Sequence, residues 1–174
     1  MRAELCEKAR KIKLAVFDVD GVLSDGRLYF ASDGEEIRAF NTLDGLGIRL
    51  LQNSGIATAI ITGRSSPLVE RRARDLGIVH LVQGREDKLA VLTDMLEELD
   101  LSFEQVAYLG DDLPDLAAIR QAGLGMAVAN AHDFVKQHAD GVTRLKGGRG
   151  AAREFCELIM AAQGTLAAAQ AAYL

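Results

Sequence analysis

The chain has 174 residues, a formal net charge of -5 and two cysteines, Cys6 and Cys156. A chain of this length has room for one domain with a sizeable core, so we expect residues 1–174 to form a single domain. The negative charge argues against broad electrostatic binding to nucleic acid or to a membrane, so an anionic ligand would need local positive charge or a metal. The cysteines are too few for a disulfide framework and lack metal-ligand spacing, which fits a reducing compartment.

Residues 1–13 mix charged and apolar side chains without a long apolar run. They predict neither a signal peptide nor a membrane span. We therefore expect a cytoplasmic protein.

Apolar runs that are typical of strands alternate with segments of helical periodicity along the chain. The predicted strands are Leu14–Phe17, Ala57–Ile61, Val79–Val82, Val106–Leu109 and Met126–Val128. The predicted helices are Gly45–Asn53, Pro67–Leu76, Lys88–Leu99, Pro114–Gln121, His132–Gln137 and Ala151–Met160. This alternation predicts an α/β fold with a doubly wound, mainly parallel, Rossmann-like sheet, whose loops gather at the carboxyl ends of the strands.

Between the first strand and the next helix, residues 27–40 carry strand-forming side chains on both sides of Asp33-Gly34. This pattern predicts a β-hairpin. Three interpretations stay open for the hairpin: a flap beside the end of the first strand, an edge that meets a partner subunit, or a segment without a special role.

Acidic residues follow the first predicted strand, where Asp18 and Asp20 precede a glycine. Alone, this pattern is also typical of a plain structural turn. Three later features change that interpretation, namely Thr62 at a second strand end, Lys88 at a helix start and the acidic segment Gly110–Asp115 after a third strand. Because parallel strands place their carboxyl ends on one edge, we expect these motifs to meet there.

If Asp18, Asp20 and Asp111 converge, their carboxylates repel, since two such charges about 4 Å apart cost roughly 4 kcal/mol at an effective dielectric near 20. A divalent cation resolves the conflict, and oxygen ligands without a histidine or cysteine cluster favour Mg²⁺. One carboxylate can then attack phosphorus to form an aspartyl-phosphate, while a second acid protonates the leaving oxygen and later activates water. Thr62 and Lys88 offer a hydroxyl and a charge for the phosphoryl group.

Each of these side chains also has a plainer interpretation. Thr62 could be a helix-entry hydroxyl and Lys88 a solvated helix start. Asp112 and Asp115 could serve only to cap the helix that begins near Pro114.

In its ordered motifs the chain resembles the haloacid-dehalogenase-like phosphohydrolases: an acid-x-acid strand end, a Thr strand end, a Lys and a late acidic pair. The resemblance implies that Asp18 is the nucleophile and Asp20 the general acid/base. It implies Mg²⁺ held by the Asp18 carboxylate, the Asp20 main-chain oxygen and Asp111, with Thr62 and Lys88 on the phosphoryl group. The chain leaves room for the hairpin but not for a cap domain, so it looks like a cap-less member.

Within that family, four stretches are similar to members that act on 3-deoxy-D-manno-octulosonate 8-phosphate, in lipopolysaccharide biosynthesis. The stretches are Asp18–Gly26, Phe40–Ile48, Ile61–Arg64 and Gly147–Ala151, with Ser24 where Thr is more usual. The resemblance implies substrate contacts at Asp20, Asn41, Thr42, Leu43, Asp44, Gly45, Arg49, Arg64, Arg72 and Lys88. It also implies a homotetramer, in which a neighbour and the C-terminal tail help to cover the site.

Arginines suit such a substrate, because planar guanidinium groups bind carboxylates in a bidentate way. Arg64 and Arg72 lie two turns apart near one helix and suit this task, and Arg49 is unusual because it interrupts an apolar run. In the stretch Glu70–Arg74 the plainer interpretation is a surface arginine, which we assign to Arg71 and Arg74. The alanine-rich tail, residues 161–174, is either mobile or ordered over a neighbouring site.

Three other functions remain open. A phosphatase for a nonulosonate 9-phosphate shares the scaffold, and Arg64 argues against it because those relatives tend to carry an acid there. A signalling receiver module has similar residues, but its acidic pair comes early in the chain. A non-catalytic regulatory tetramer is disfavoured by the intact acidic, Thr and Lys motifs.

Overall fold

The computed structural model describes residues 3–174 of the chain. The helices are α1 (Ala3–Arg10), α2 (Thr42–Asn53), α3 (Pro67–Leu76), α4 (Lys88–Leu99), α5 (Leu113–Gln121), α6 (Asp133–His138), α7 (Ala151–Ala162) and α8 (Leu166–Ala171). The strands are β1 (Leu14–Phe17), β2 (Tyr29–Phe30), β3 (Glu36–Ile37), β4 (Ala57–Thr62), β5 (His80–Gln83), β6 (Val106–Gly110), β7 (Leu124–Ala127) and β8 (Gly141–Val142). Among the helices of this part of the chain, none is both long and apolar enough to cross a bilayer.

One sheet forms the centre of the molecule, with strand order β5-β4-β1-β6-β7-β8 and parallel pairing throughout. β1 is buried along its whole length, as expected for a strand covered on both faces. Phe17 lies in register with Ile60 of β4 and with Leu109 of β6, so the residues that follow these strands emerge side by side. The predicted α/β fold with a doubly wound parallel sheet is confirmed.

Helices pack in two groups beside the sheet, α7 with α1 and α2, and α5 with α4 and α6. Phe17 of β1 meets Phe155 of α7 edge to face, with ring centroids 5.6 Å apart, and both side chains are fully buried. Aromatic pairs of this geometry add to the burial of each ring, and truncating such a ring to alanine typically costs about 3–5 kcal/mol. This contact fixes the central strand, and so the position of Asp18 that follows it.

The predicted hairpin is present as the antiparallel pair β2 and β3, in which Tyr29 lies opposite Ile37. Its turn holds Gly34 at a φ of 88°, a conformation that glycine adopts without strain. Apart from this hairpin, residues 18–41 form loops and turns, and no cap domain is present in the described residues.

Several elements differ from the sequence prediction. α2 begins at Thr42 rather than Gly45, because the Asn41 side chain accepts a hydrogen bond from the Leu43 amide and caps the helix. β7 lies slightly earlier in the chain than the predicted strand Met126–Val128. Helix α1 and strand β8 were not predicted, because short elements have weak sequence patterns. In the tail, Leu166 and Ala169 of α8 pack against the core, and its mobility stays a prediction.

Candidate active site

A cavity of about 320 Å³ opens where β1, β4 and β6 end. Its lining combines the predicted catalytic residues with their neighbours in the loops: Asp18, Asp20, Gly26, Thr62, Gly63, Arg64, Glu86, Lys88, Asp111, Asp112, Pro114 and Asp115. The three strand ends and the start of α4 therefore meet at one edge of the sheet, as the sequence predicts.

Lys88 at the start of α4 is buried between two carboxylates. Its Nζ lies 2.9 Å from Asp18 Oδ1 and 2.6 Å from Asp115 Oδ1. Burial alone lowers the pKa of Lys88, but the two carboxylates outweigh it and raise that pKa above its ordinary value. Lys88 therefore does not lie at a solvated helix start. It is a buried cation inside the acidic cluster.

Asp115 organises the neighbouring residues from a fully buried position. Its Oδ2 accepts hydrogen bonds from the backbone amides of Asp111 at 3.0 Å and Asp112 at 3.3 Å. Its Oδ1 accepts one from the hydroxyl of Tyr108 at 2.9 Å, besides the contact with Lys88. Asp112 caps α5 by accepting from the Leu113 amide, as its plainer interpretation proposed.

The acids of this cluster are close enough to share a cation. One carboxylate oxygen each from Asp18, Asp111 and Asp115 lies within 4.8 Å of the other two. Burial, followed by Asp115, raises the pKa of Asp18 to about 7 against the opposing effect of Lys88. Burial, followed by Asp18 and Asp115, raises the pKa of Asp111 to about 8. These carboxylates lie close together, repel one another and offer only oxygen ligands. They therefore fit a hard divalent cation such as Mg²⁺.

Asp20 faces the hairpin rather than Lys88. Its Oδ1 lies 2.9 Å from Arg38 Nη1, and its Oδ2 lies 3.9 Å from Arg64 Nε. Glu36 of β3 binds the same two arginines, at 2.9 Å from Arg38 Nε and 3.6 Å from Arg64 Nη2. Two acids and two arginines therefore form a closed ring of ion pairs at the base of the hairpin. Sequence reasoning missed Arg38 and Glu36, because a charged residue in a hairpin is ordinarily exposed.

The other predicted substrate residues are not among the residues that line this cavity. Thr42 and Leu43 are exposed in the first turn of α2, and Asn41 donates a hydrogen bond of 3.2 Å from its amide to the Gly148 carbonyl. The buried Asp44 accepts hydrogen bonds from the amides of Gly150 at 3.2 Å and Arg153 at 2.9 Å.

Both remaining arginines also contact the protein itself. Arg49 donates to the Asp75 carbonyl at 2.5 Å. Arg72 donates to the Asn41 carbonyl at 3.2 Å, lies over the ring of Phe40 and packs against Gly45. Arg72 thereby orders the start of α2, whereas Arg49 joins α2 to the last turn of α3.

A glycine-rich loop braces the catalytic loop from the opposite side. The amide of Gly148 donates to the Val22 carbonyl at 2.8 Å, and the amide of Gly147 donates to Asn130 Oδ1 at 2.7 Å. A side chain at residue 147 would overlap the carbonyl of Gly21, so only glycine fits this approach. The loop thereby fixes the turn that follows Asp18 and Asp20.

Comparison with known proteins agrees with this geometry. Residues 75–154 match the model of the haloacid dehalogenase-like hydrolase family. The 3-deoxy-D-manno-octulosonate 8-phosphate phosphatase KdsC of Escherichia coli K12 is 52% identical over 94% of this chain and 87% of its own. The chain belongs to this phosphatase family of the haloacid dehalogenase-like hydrolases.

Two solved structures of the family superpose closely on this chain. The phosphatase of this name from Moraxella catarrhalis, in complex with a magnesium ion, a phosphate ion and 3-deoxy-D-manno-octulosonate, has a TM-score of 0.98. It is 47% identical, and the match covers 100% of both chains. The Yersinia pestis phosphatase has a TM-score of 0.93 and is 51% identical, with coverage of 95% of this chain and 89% of that one.

Proposed function

We propose that this protein hydrolyses 3-deoxy-D-manno-octulosonate 8-phosphate to the free sugar acid and phosphate, with Mg²⁺ as cofactor. The observation that carries the proposal is the position of Asp18, which ends β1 beside Lys88 and within 4.8 Å of two further carboxylates. Relatives that match this chain over almost its whole length are named for that activity. The product serves lipopolysaccharide biosynthesis, and we propose a cytoplasmic location.

Asp18 begins the reaction as the nucleophile. One of its carboxylate oxygens attacks phosphorus and forms an aspartyl-phosphate, while the bond from phosphorus to the sugar oxygen breaks. Asp20 gives its proton to that leaving oxygen, then takes a proton from a water whose oxygen attacks the phosphoryl group. Phosphate leaves and the Asp18 carboxylate is restored, so one water is consumed for each ester.

Mg²⁺ fits the Asp18 and Asp111 carboxylates and the main-chain oxygen of Asp20. It supplies positive charge that neutralises the phosphoryl oxygens and the repulsion among the acids. Asp115 belongs to the same cluster, but its oxygens already accept from Lys88, Tyr108 and two backbone amides. We therefore assign to Asp115 the orientation of its neighbours rather than metal ligation.

Thr62 and Lys88 hold the phosphoryl group in this scheme, Thr62 with its hydroxyl and Lys88 with its ammonium. Arg64 lines the cavity and is exposed, so its guanidinium is available to the carboxylate of the sugar acid. Substrate contacts at Asn41, Thr42, Leu43, Asp44, Gly45, Arg49 and Arg72 stay predictions. Their observed contacts would have to be exchanged or supplemented when substrate binds.

A homotetramer is part of the proposal. The hairpin exposes four large apolar side chains, Leu28, Tyr29, Phe30 and Ile37, next to a site without a cap domain. A neighbouring subunit that covers them would bury this apolar surface and exclude water from the cavity. Sedimentation velocity on the purified protein measures the oligomeric state directly.

One rival substrate deserves direct comparison, a nonulosonate 9-phosphate, which has the same reacting groups. Arg64 favours the octulosonate. Because the chain belongs to this phosphatase family, the receiver module and the non-catalytic regulatory tetramer lose their support.

Phosphate release from the two sugar-acid phosphates, with and without Mg²⁺, tests the proposal, with Asp18→Asn as the control. We expect Mg²⁺-dependent release that favours the octulosonate and is lost in the variant. Preference for the nonulosonate would retain the mechanism and reject the substrate, and release unaffected by Mg²⁺ or by Asp18→Asn would reject the mechanism.

A further inference from the structure

We propose that Arg38 is a positioning residue for the reaction, which orients the Asp20 carboxylate from the base of the hairpin. The inference rests on the proposed function, because it takes Asp20 as the general acid/base. Arg38 itself does not line the cavity, so it acts through Asp20 and not on the substrate.

Arg38 follows β3 and leaves only 3% of its side chain exposed. A guanidinium stays charged in proteins, so one that is buried needs opposite charges beside it. The two carboxylates in contact with it are Glu36, which accepts from Nε at 2.9 Å, and Asp20, at 2.9 Å from Nη1. Asp20 therefore carries one of the two counter-charges that allow Arg38 to be buried.

Arg64 approaches the same Asp20 from the other side, but it cannot replace Arg38. Its Nε is 3.9 Å from Asp20 Oδ2, and its side chain is 45% exposed. An exposed arginine at this distance is screened by water and free to change rotamer. Of the two arginines beside Asp20, the buried Arg38 is therefore the one that can hold the carboxylate in place.

The terminal nitrogens of Arg38 are unusual for an arginine with a purely structural role. Within residues 3–174, Nη1 and Nη2 are buried and make no hydrogen bond of good geometry, although Nη1 is paired in charge with Asp20. Leaving buried donors without directed partners costs about 1–3 kcal/mol, and such exceptions call for an explanation beyond folding. Within the described residues, the charge of Asp20 is what compensates Nη1, so the pair holds the Asp20 carboxylate beside the guanidinium.

The hairpin thereby becomes part of the catalytic apparatus. Glu36 begins β3, the last strand of the hairpin, and Arg38 directly follows that strand, so a displaced hairpin would withdraw Arg38 from Asp20. A seated hairpin is then a condition for general acid catalysis, although it contributes no side chain to the phosphoryl group.

Dependence on the leaving group distinguishes this role from a structural one. A sugar alkoxide needs a proton as it leaves, whereas p-nitrophenolate leaves without one. We expect Arg38→Met to lower kcat/KM for the sugar-acid phosphate about tenfold or more, because general acid catalysis of leaving-group release contributes about 10²–10⁴-fold. The kcat/KM for p-nitrophenyl phosphate should change less than about threefold, because it does not include the later hydrolysis of the aspartyl-phosphate, in which Asp20 activates water for either ester. KM for the sugar-acid phosphate should change little. Arg38→Lys, which keeps the charge, should recover part of the loss.

A double-mutant cycle adds the decisive comparison. In an Asp20→Asn background, Arg38→Met should have no further effect on kcat, since its partner is already gone. Arg27→Met, an exposed arginine at the start of the same hairpin, is the matched control and should leave both substrates unaffected. Thermal unfolding of every variant separates loss of orientation from loss of fold.

Three outcomes would overturn the inference: an equal loss of kcat/KM on both esters, a raised KM with an unchanged kcat, or additivity of Arg38→Met with Asp20→Asn. If the wild-type protein fails to turn over the octulosonate phosphate, the proposed substrate is wrong. The Arg38 comparison then still stands on any alkyl phosphate that the wild-type protein hydrolyses.

Discussion

The hydroxyl of Tyr108 donates a hydrogen bond of 2.9 Å to the carboxylate of Asp115, and both side chains are buried beneath the cavity. The same carboxylate contacts Lys88 and accepts from the amides of Asp111 and Asp112. Burial, followed by Asp115, holds the pKa of Tyr108 well above its ordinary value, so the phenol remains a donor at all working pH values. Tyr108 thus supports the cluster without reaching the substrate.

Tyr108→Phe should lower the free energy of unfolding by about 1 kcal/mol, the usual worth of one hydrogen bond in a buried network. We also expect a fall in kcat of several fold, because Asp115 orients both Asp111 and Lys88. Urea denaturation and phosphate release measure the two effects. Tyr29→Phe removes an exposed hydrogen bond to Asp25 and is the matched control, and equal effects of the two substitutions would contradict this account.

Binding of Mg²⁺ should weaken as the pH falls. Without a cation, the pKa of Asp18 is about 7 and that of Asp111 about 8, so both carry protons at pH 6. A metal requires the ionised forms and displaces those protons. Below these pKa values, each proton that the metal displaces should raise the apparent Kd for Mg²⁺ by about tenfold for every pH unit. Isothermal titration calorimetry in buffers of different ionisation enthalpy measures the proton release, and a Kd independent of pH would contradict the assignment of both ligands.

The metal-free protein should gain stability when Asp111 is neutralised. Because its pKa is raised from 3.8 to about 8, its contribution to stability is fully present below about pH 4 and is lost as the pH rises to 8. Asp111→Asn removes this loss, so its melting temperature in a chelator should exceed that of the wild type at pH 8. The difference should shrink as the pH falls toward 4. A lower melting temperature at pH 8 would show that Asp111 is favourably ionised without metal.

The sequence predicts this acidic cluster well, since it depends on topology alone. Asp18 and Asp111 follow β1 and β6, and the register of Phe17 with Leu109 brings the two strand ends together. Any parallel sheet built from these strands would place the acids on the same edge. Lys88 was also predicted, although its burial between two acids becomes visible only in three dimensions.

Side chains with distant partners could not be predicted in the same way. Arg38 acquires its role because the hairpin folds onto Asp20. For Tyr108, the only indication in the sequence was a single tyrosine within an apolar strand. Asp44 shows the limit most clearly, because the amides that its carboxylate binds lie more than a hundred residues away on the path of the chain. Resemblance assigns it to the substrate, while its observed partners belong to α7.

Asp44→Ala should therefore destabilise the protein. The buried carboxylate satisfies two amides at the start of α7 and joins that helix to α2, and loss of a helix cap costs about 0.5–2 kcal/mol. Asp44→Asn keeps an acceptor oxygen and should retain more of this stability. If Asp44 contacts the substrate as well, Asp44→Asn should raise KM while its unfolding midpoint stays close to that of the wild type. Unchanged stability in Asp44→Ala would contradict the capping role.

Gly147→Ala should disturb the catalytic loop from a distance. Its new methyl group would overlap the carbonyl of Gly21, a backbone atom that cannot move without shifting the turn after Asp20. Overpacking of this kind costs about 1–3 kcal/mol, and we expect a fall in kcat together with the fall in stability. Asn130→Ala removes the hydrogen bond from the Gly147 amide and the longer one, 3.5 Å, that Asn130 donates to the Gly21 carbonyl, and it adds no atom to the contact. It therefore separates loss of these hydrogen bonds from the overlap. If the overlap displaces the turn, Gly147→Ala should lower kcat further than Asn130→Ala at equal loss of stability. Equal kcat values for the two variants would show that Gly147→Ala acts only by destabilising the glycine-rich loop.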